Sequence, residues 1–171
     1  MSRKAIIAGV VFLLGASLAG ATTLVKMNFG DLARDADAIV VGTVTDVQGA
    51  WGSDRNFIHS TVTVRVERSL RGNQDDQIVL STPGGVVNGV GQKAAGMAEF
   101  EIGERVLVFL AAGEDGTPKV LGYTQGKSRV IVDGQGRERL VGGSADGMTV
   151  HGASLKIKNG HEQNIPLRPA N

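Results

Sequence analysis

The clearest pattern of apolar and polar positions in the chain runs along residues 58–70. Most of its even positions are apolar: Ile58, Val62, Val64, Val66 and Leu70. The odd positions between them, such as His59 and Arg65, are polar. Successive side chains of a strand point to opposite faces, so this period of two predicts a strand with one face on a core. Val64 is therefore expected inside and His59 outside.

Other apolar and β-branched runs predict further strands at residues 38–47, 77–82, 105–111, 119–123, 128–132 and 138–141. The later runs are separated by Asp115-Gly116 and Asp133-Gly134, pairs that favour positive φ in tight hairpins. These runs predict a meander. From Ser144 onward the chain is polar, which predicts a weak hairpin and a frayed end.

A short helix is predicted before the first strand. Asn28 is placed to cap it, and Asp31 lies in the first turn, where a carboxylate favours the exposed N–H groups. Phe29, Leu32, Ala33 and Ala36 recur at helical spacing. Asp37 marks the change from helix to strand.

The N-terminus has the pattern of a secretory signal peptide. Arg3 and Lys4 precede an apolar run that ends in Ala19-Gly20-Ala21, a small-residue cleavage pattern. The run is shorter than the roughly 20 residues of a membrane-spanning helix. We expect residues 1–21 to be removed, residues 22–143 to form one domain and residues 144–171 a polar hairpin and tail. The protein is then secreted or periplasmic, with no stable membrane anchor.

Charge limits the classes of partner that the protein can bind, and cysteine content indicates how its fold is stabilised. The sequence has 18 Lys and Arg against 17 Asp and Glu, and loss of Arg3 and Lys4 leaves the mature chain near neutral. A nucleic-acid binder would carry a clustered basic excess, so nucleic acid is not expected as a partner. The chain has no cysteine, so an exported domain of this length must be stabilised by its core alone.

The glycine-rich segment at residues 81–97, STPGGVVNGVGQKAAGM, invites comparison with phosphate-binding loops. A P-loop needs Gly-Lys-Ser/Thr before a helix, but here Lys93 follows Gln92. A dinucleotide fingerprint needs a third glycine at a set spacing inside a βαβ unit, and neither is present. We interpret the segment as a long mobile connection between two barrel strands and expect no cofactor.

Long loops of this kind often carry binding surfaces. The loop around Trp51, predicted between the first two strands, is a second such place. The candidate contacts with a partner are therefore Trp51, Gly84, Gly85, Asn88, Gln92 and Lys93.

Nothing in the sequence predicts catalysis or a metal site. Three histidines lack a paired acid or cysteine at ligand spacing and are interpreted as surface residues: His59, His151 and His161. Three aspartates lack the glycine turn and distal glutamate of a calcium loop: Asp31, Asp35 and Asp37. No serine lies in a G-x-S-x-G elbow. We expect a protein that is not an enzyme.

The strand sequences ADAIVVGTVTDV, STVTVRVERSLRGN, QIVLSTPGG and GERVLVFLAAGEDGTPKVLGY together resemble the netrin-like domain of tissue inhibitors of metalloproteinases. They are also similar to exported bacterial proteins with the same strand pattern. The resemblance covers about residues 36–123. It implies a five-stranded, partly open OB-like Greek-key barrel, here with an extra C-terminal meander and the short N-terminal helix.

The resemblance does not extend to the inhibitors' mechanism. Those proteins chelate the protease zinc through an N-terminal cysteine held by disulfides, and this chain has no cysteine. The sequence therefore favours a non-enzymatic interaction module that binds a protein or glycan through barrel-end loops. The alternative is a protease inhibitor that acts through residues 22–27 and adjacent loops by another geometry.

Overall fold

The computed structural model describes residues 25–72, 75–151 and 154–156. Within them the chain is mainly β, with a short helix α1 (Phe29–Asp35) and a 3-10 turn (Tyr123–Gly126). The strands are β1 (Ala38–Trp51), β2 (Ile58–Arg71), β3 (Gln77–Pro83), β4 (Gly85–Val87), β5 (Val90–Gln92), β6 (Arg105–Ala112), β7 (Pro118–Val120), β8 (Lys127–Val132), β9 (Glu138–Val141), β10 (Thr149–His151) and β11 (Ser154–Lys156). The predicted signal peptide lies outside the described residues, as does His161. No helix of the described part combines the length and apolarity needed to span a bilayer.

Five strands form a closed, mixed barrel. Antiparallel pairs join β1 to β2, β2 to β3, β7 to β6 and β6 back to β1, while β3 and β7 run parallel. The predicted mainly β fold with a five-stranded OB-like barrel is confirmed. The ring is closed and not partly open, because β1 pairs with β6 over residues 38–43.

Two hydrophobic cores explain the apolar patterns of the strands. The inner core fills the barrel with Val40, Val44, Val62, Val64, Ile78, Leu80, Val106, Val108 and Leu110. The outer core packs the barrel wall against α1 and the later strands, with Leu32, Ile39, Val41, Leu70, Leu107, Phe109, Val130 and Leu140 among its members. β1 and β6 give alternate residues to both cores. They are therefore continuously apolar, as strands buried on both faces are.

The alternation in β2 reflects a single buried face. Ile58, Val62 and Val64 are fully buried, whereas His59 and Arg65 are exposed. This confirms the predicted register. Leu70 is buried too, but in the outer core.

The predicted helix is confirmed with its cap. The Asn28 side chain accepts a hydrogen bond from the backbone N–H of Asp31, and the Asp31 carboxylate accepts one from the backbone N–H of Asn28. This capping box satisfies two donors that the helix cannot pair internally. Leu32 and Ala33 are buried against the barrel.

The extra strands form the predicted meander outside the ring. β8 pairs with β6 and with β9, and β10 joins β9 to β11. Ala145, Met148 and Val150 are buried in the outer core, a contribution that the polar composition after Ser144 did not predict. The weak hairpin expected after Ser144 corresponds to the pair of β10 and β11.

Two turns differ from the sequence prediction. The strand predicted at residues 119–123 ends at Val120, and Tyr123 begins the 3-10 turn. Gly116 adopts the expected positive φ, but after Asp133 the positive φ falls at Gly136 and not at Gly134. The Asp133 carboxylate accepts hydrogen bonds from two backbone N–H groups beyond it, which widens that turn.

Candidate binding site at the barrel mouth

The candidate site lies at the open end of the barrel where β1 and β2 extend beyond the ring. There Val47, Gly49 and Trp51 of β1 are opposite Val62, Ser60 and Ile58 of β2. Directly opposite residues of an antiparallel pair point to the same face. Since Ile58, Ser60 and Val62 are buried, this row of β1 faces the barrel interior.

Trp51 was predicted to lie in the loop between the first two strands. It is instead the last residue of β1. It pairs with Ile58, and its side chain is 37% exposed at the end of the strand. The connection to β2 is short, and the backbone N–H of Gly52 donates to the carbonyl of Phe57. Trp51 therefore stands at the rim of the barrel mouth.

The glycine-rich segment joins barrel strands, as predicted, but it also contains a hairpin that was not predicted. β4 and β5 pair with each other around Asn88 and Gly89. These two residues have φ values of 50° and 80°, as in the type I′ turn that Asn-Gly favours. Asn-Gly between valines was the signal available in the sequence.

The hairpin folds back over the inner face of β1 and β2. Glycines allow this close approach, because a Cβ at Gly49 would collide with the carbonyl oxygen of Val86 and a Cβ at Gly85 with Ser60 Oγ. Gly84 and Gly85 also have positive φ, which side chains disfavour. These two predicted contact residues therefore position the hairpin.

Gln92 fastens the hairpin to the turn between β1 and β2. Its Oε1 accepts from the backbone N–H of Ile58 at 2.6 Å, and its Nε2 donates to the carbonyl of Asn56 at 3.2 Å. The backbone N–H of Gly84 adds a bond to the carbonyl of Ile58 at 2.7 Å. Gln92 was predicted to contact a partner, but its side chain is engaged within the protein.

Between the hairpin and the barrel wall lies a pocket of about 440 Å³. Its apolar lining comes from β1, β2, β3, the hairpin and the segment before β6, and includes Val47, Val62, Pro83, Val86, Ala98 and Phe100. Ser60 and Thr82 are its buried polar residues. Ser60 Oγ donates to the carbonyl of Gly84 at 2.8 Å, and Thr82 Oγ1 donates to the carbonyl of Ala98 at 2.9 Å.

The charges near the pocket are paired with one another. Lys93 Nζ lies 3.1 Å from the Glu99 carboxylate, and both side chains are largely exposed at the rim. Lys127 lies over the ring of Phe100 and pairs with Glu104 at 2.7 Å. Lys127 also donates to the carbonyl of Glu99. The pocket mouth therefore has no net charge.

The rim carries apolar side chains that remain in contact with solvent. Val86 and Val90 of the hairpin are 65% and 49% exposed. Phe57 is also exposed, but its ring contacts that of His59 on the outward face of β2. Trp51 and the two valines are therefore the exposed apolar residues at the end that holds the pocket.

The six predicted contact residues therefore divide into two groups. Trp51, Asn88 and Lys93 lie at the surface of this end of the barrel, at the strand end, the hairpin tip and the rim. Gly84, Gly85 and Gln92 shape or hold the hairpin. All six lie near one end of the molecule.

The residues considered for metal binding have other contacts. Asp31 caps α1 and pairs with Arg34, and Asp37 accepts from the backbone N–H of Ala112 at 2.9 Å. His59 is exposed. The described residues contain no group of three or more His, Cys, Asp or Glu placed to hold a metal ion.

Comparison with protein-family models, with curated proteins and with solved structures finds no match. The resemblance to the netrin-like domain therefore stays a prediction, as does export of the chain. The inhibitor alternative also stays a prediction. The inhibitor alternative requires residues 22–27, of which the structure describes residues 25–27. Two hydrogen bonds hold this part to Gln125: Gln125 Nε2 donates to the carbonyl of Val25, and the backbone N–H of Met27 donates to Gln125 Oε1.

Proposed function

We propose that this chain is an exported, non-enzymatic interaction module that binds its partner at the barrel mouth. The observation that carries the proposal is the apolar rim around an open, apolar pocket. Exposed apolar patches rimmed by polar residues mark interaction sites in soluble proteins. The barrel beneath provides a rigid support, and the hairpin is held to it by Gln92 and by the hydrogen bond of Gly84.

The rim also has the anatomy of a recognition surface. Aromatic residues are enriched at the centres of interfaces, and Trp51 stands beside the pocket on the face that Ile58 shares. The paired charges of Lys93 and Glu99 lie at the pocket mouth and are largely exposed. This arrangement is complementary to a partner surface with an apolar centre and a polar border.

Two matched variants test the proposal. Val86→Asp puts a charge on the rim, and Val132→Asp puts the same charge on β8, where Val132 is 60% exposed. Both positions are exposed enough that the fold should survive, which circular dichroism and melting will check. The proteins are then used to capture partners from native extracts of the source cells and their medium.

We expect the wild type and Val132→Asp to recover the same partner, and Val86→Asp to recover at least tenfold less of it. A buried charge without a counterion at an interface costs enough for that loss. Equal recovery by both variants would move the site away from the barrel mouth. Recovery of nothing by the wild type would count against a stable-binding module.

A further inference from the structure

The pocket at the barrel mouth has a specific hydrogen-bonding character. Ser60 Oγ and Thr82 Oγ1 both donate to backbone carbonyls, and a carbonyl cannot donate in return. Each hydroxyl has one proton and two lone pairs. Both protons are therefore used, and the two buried oxygens can only accept from a ligand. A group that brings a donor suits this pocket better than one that brings only acceptors.

The charges at the mouth disfavour an ionised ligand. Lys93 is the cation at the rim, and Glu99 neutralises it at 3.1 Å. A carboxylate or phosphate that approached Lys93 would meet the Glu99 carboxylate at the same place. A cation would meet Lys93. Burial of a charge in an apolar site without a partner is costly, so the occupant should be neutral.

The pocket is large enough to admit an aromatic ring. About 440 Å³ lies within the range of roughly 300–1,000 Å³ typical of ligand pockets. Apolar residues that include Val62, Pro83 and Phe100 line the pocket and provide apolar contacts for a ring. A neutral ring with one donor, such as a phenol or an indole, fits within this volume and matches the polarity and charge of the pocket.

The exposed rim points to a protein as the source of that ring. A small molecule inside the pocket would leave Val90 and the outward part of Val86 in water. A polypeptide that inserts one side chain would cover these valines with its flanking residues. Tyrosine and tryptophan are the side chains that most often anchor protein interfaces in such pockets.

We propose that the pocket takes a tyrosine or tryptophan side chain of a protein partner, whose O–H or N–H donates to Ser60 Oγ or Thr82 Oγ1. The proposal rests on the proposed function and specifies the partner's anchor residue. It assigns Ser60 and Thr82 to specificity and the apolar lining to affinity.

The test compares N-acetyl-tyrosinamide with N-acetyl-phenylalaninamide, which differ by the hydroxyl group alone. Binding is followed by changes in the amide NMR signals of ¹⁵N-labelled protein. We expect both compounds to shift signals of lining residues such as Gly91 and Ala98. The tyrosine compound should bind about fivefold more tightly, the effect of one net hydrogen bond.

Three variants locate the effect. Thr82→Val and Ser60→Ala each remove an acceptor, and at least one should bring the ratio of the two affinities close to one. Ala94→Leu adds volume at a lining residue and should weaken both compounds. Its control is Ala95→Leu at the next position, which is exposed and does not line the pocket. The amide spectrum of each variant shows whether it is folded.

The outcomes separate this inference from the proposed function. Equal or weaker binding of the tyrosine compound, or no change at lining residues up to the solubility limit, overturns the anchor proposal. If free p-cresol binds and N-acetyl-tyrosinamide does not, the inference that the ring belongs to a protein side chain is wrong. In each case the loss of partner capture in Val86→Asp can still stand, because that loss shows that a partner binds at the barrel mouth whichever side chain enters the pocket.

Discussion

At the scale of single residues, the two faces of β2 differ sharply in what they tolerate. Val64 is fully buried in the inner core and lies opposite Val44. His59, on the other face, is exposed, and its ring contacts Phe57 at a centroid distance of 5.5 Å. In β2, position 64 therefore does not tolerate a charge, whereas position 59 tolerates polar side chains.

We predict that Val64→Asp destabilises the protein severely and that His59→Ala leaves the free energy of unfolding almost unchanged. An unpaired carboxylate in the inner core costs several kcal/mol, whereas a change at an exposed position stays within about 0.5 kcal/mol. Denaturant unfolding of the two variants measures the difference. Similar midpoints for both would contradict the register between β2 and its neighbours.

At the scale of elements, the hairpin of β4 and β5 is positioned by a backbone contact. Gly49 of β1 approaches Val86 of β4 so closely that a side chain has no room. Gly91, in β5 opposite Val86, has room, since an added Cβ there would meet only Val86 Cγ2 at 3.8 Å. Two glycines that contact the same valine thus have different roles.

We predict that Gly49→Ala lowers the free energy of unfolding by about 1–3 kcal/mol, as overpacking against rigid neighbours does. The clash is with backbone, so the hairpin must move. Gly91→Ala is the control and should change stability by less than about 0.5 kcal/mol. Chemical or thermal unfolding, together with amide NMR shifts of β4, reports both effects. A stable Gly49→Ala with an unmoved hairpin would disprove this packing.

Much of the element-level structure was predictable, and the exceptions have physical causes. The period of two in β2 and the cap at Asn28 depend on neighbours in the sequence, so local reasoning found them. Asn88-Gly89 is equally local, and the hairpin could have been predicted from it. The position of the hairpin over Gly49 could not, because it depends on contacts between residues far apart in the chain. The pocket therefore became visible only in three dimensions.

At the scale of the whole molecule, a network of charges joins the meander to the barrel. Arg105 of β6 pairs with Glu67 of β2 at 2.6 Å and with Glu138 of β9 at 2.9 Å. Arg68 also pairs with Glu138, and Thr43 Oγ1 donates to Glu67 at 2.6 Å. These charges lie on separate strands, so the sequence pattern gave no indication of their partners. The network adds a polar link to the packing of the outer core.

The network lowers the pKa of both carboxyl groups. For Glu67, the hydrogen bond from Arg105 is the main cause and outweighs partial burial. For Glu138, burial raises the pKa, but the hydrogen bonds from Arg105 and Arg68 together lower it overall. A carboxyl group with a lowered pKa contributes stability above its unfolded pKa of about 4.3, and this contribution disappears as pH falls through the folded pKa.

We predict that Glu138→Gln destabilises the protein by about 1 kcal/mol at pH 7. The difference from wild type should shrink as pH falls below about 4, where protonation removes the same charge. Urea unfolding from pH 7 to pH 3 measures it. Glu114→Gln is the control, since Glu114 is exposed and makes no ion pair within the described residues. A difference that stays constant over this range would show that the charge of Glu138 is not what links the meander to the barrel.

The closure of the ring also has a consequence for synthesis of the chain. β1 is complete well before its second neighbour β6, and the contact of Asp37 with Ala112 spans 75 positions. Topologies with such distant pairings fold slowly. During translation the edge of β1 that pairs with β6 therefore stays unpaired at first. Ile39, Val40 and Val41 lie along this edge. Unpaired apolar edges promote aggregation, so we expect the nascent chain to need protection of this edge until β6 has been synthesised.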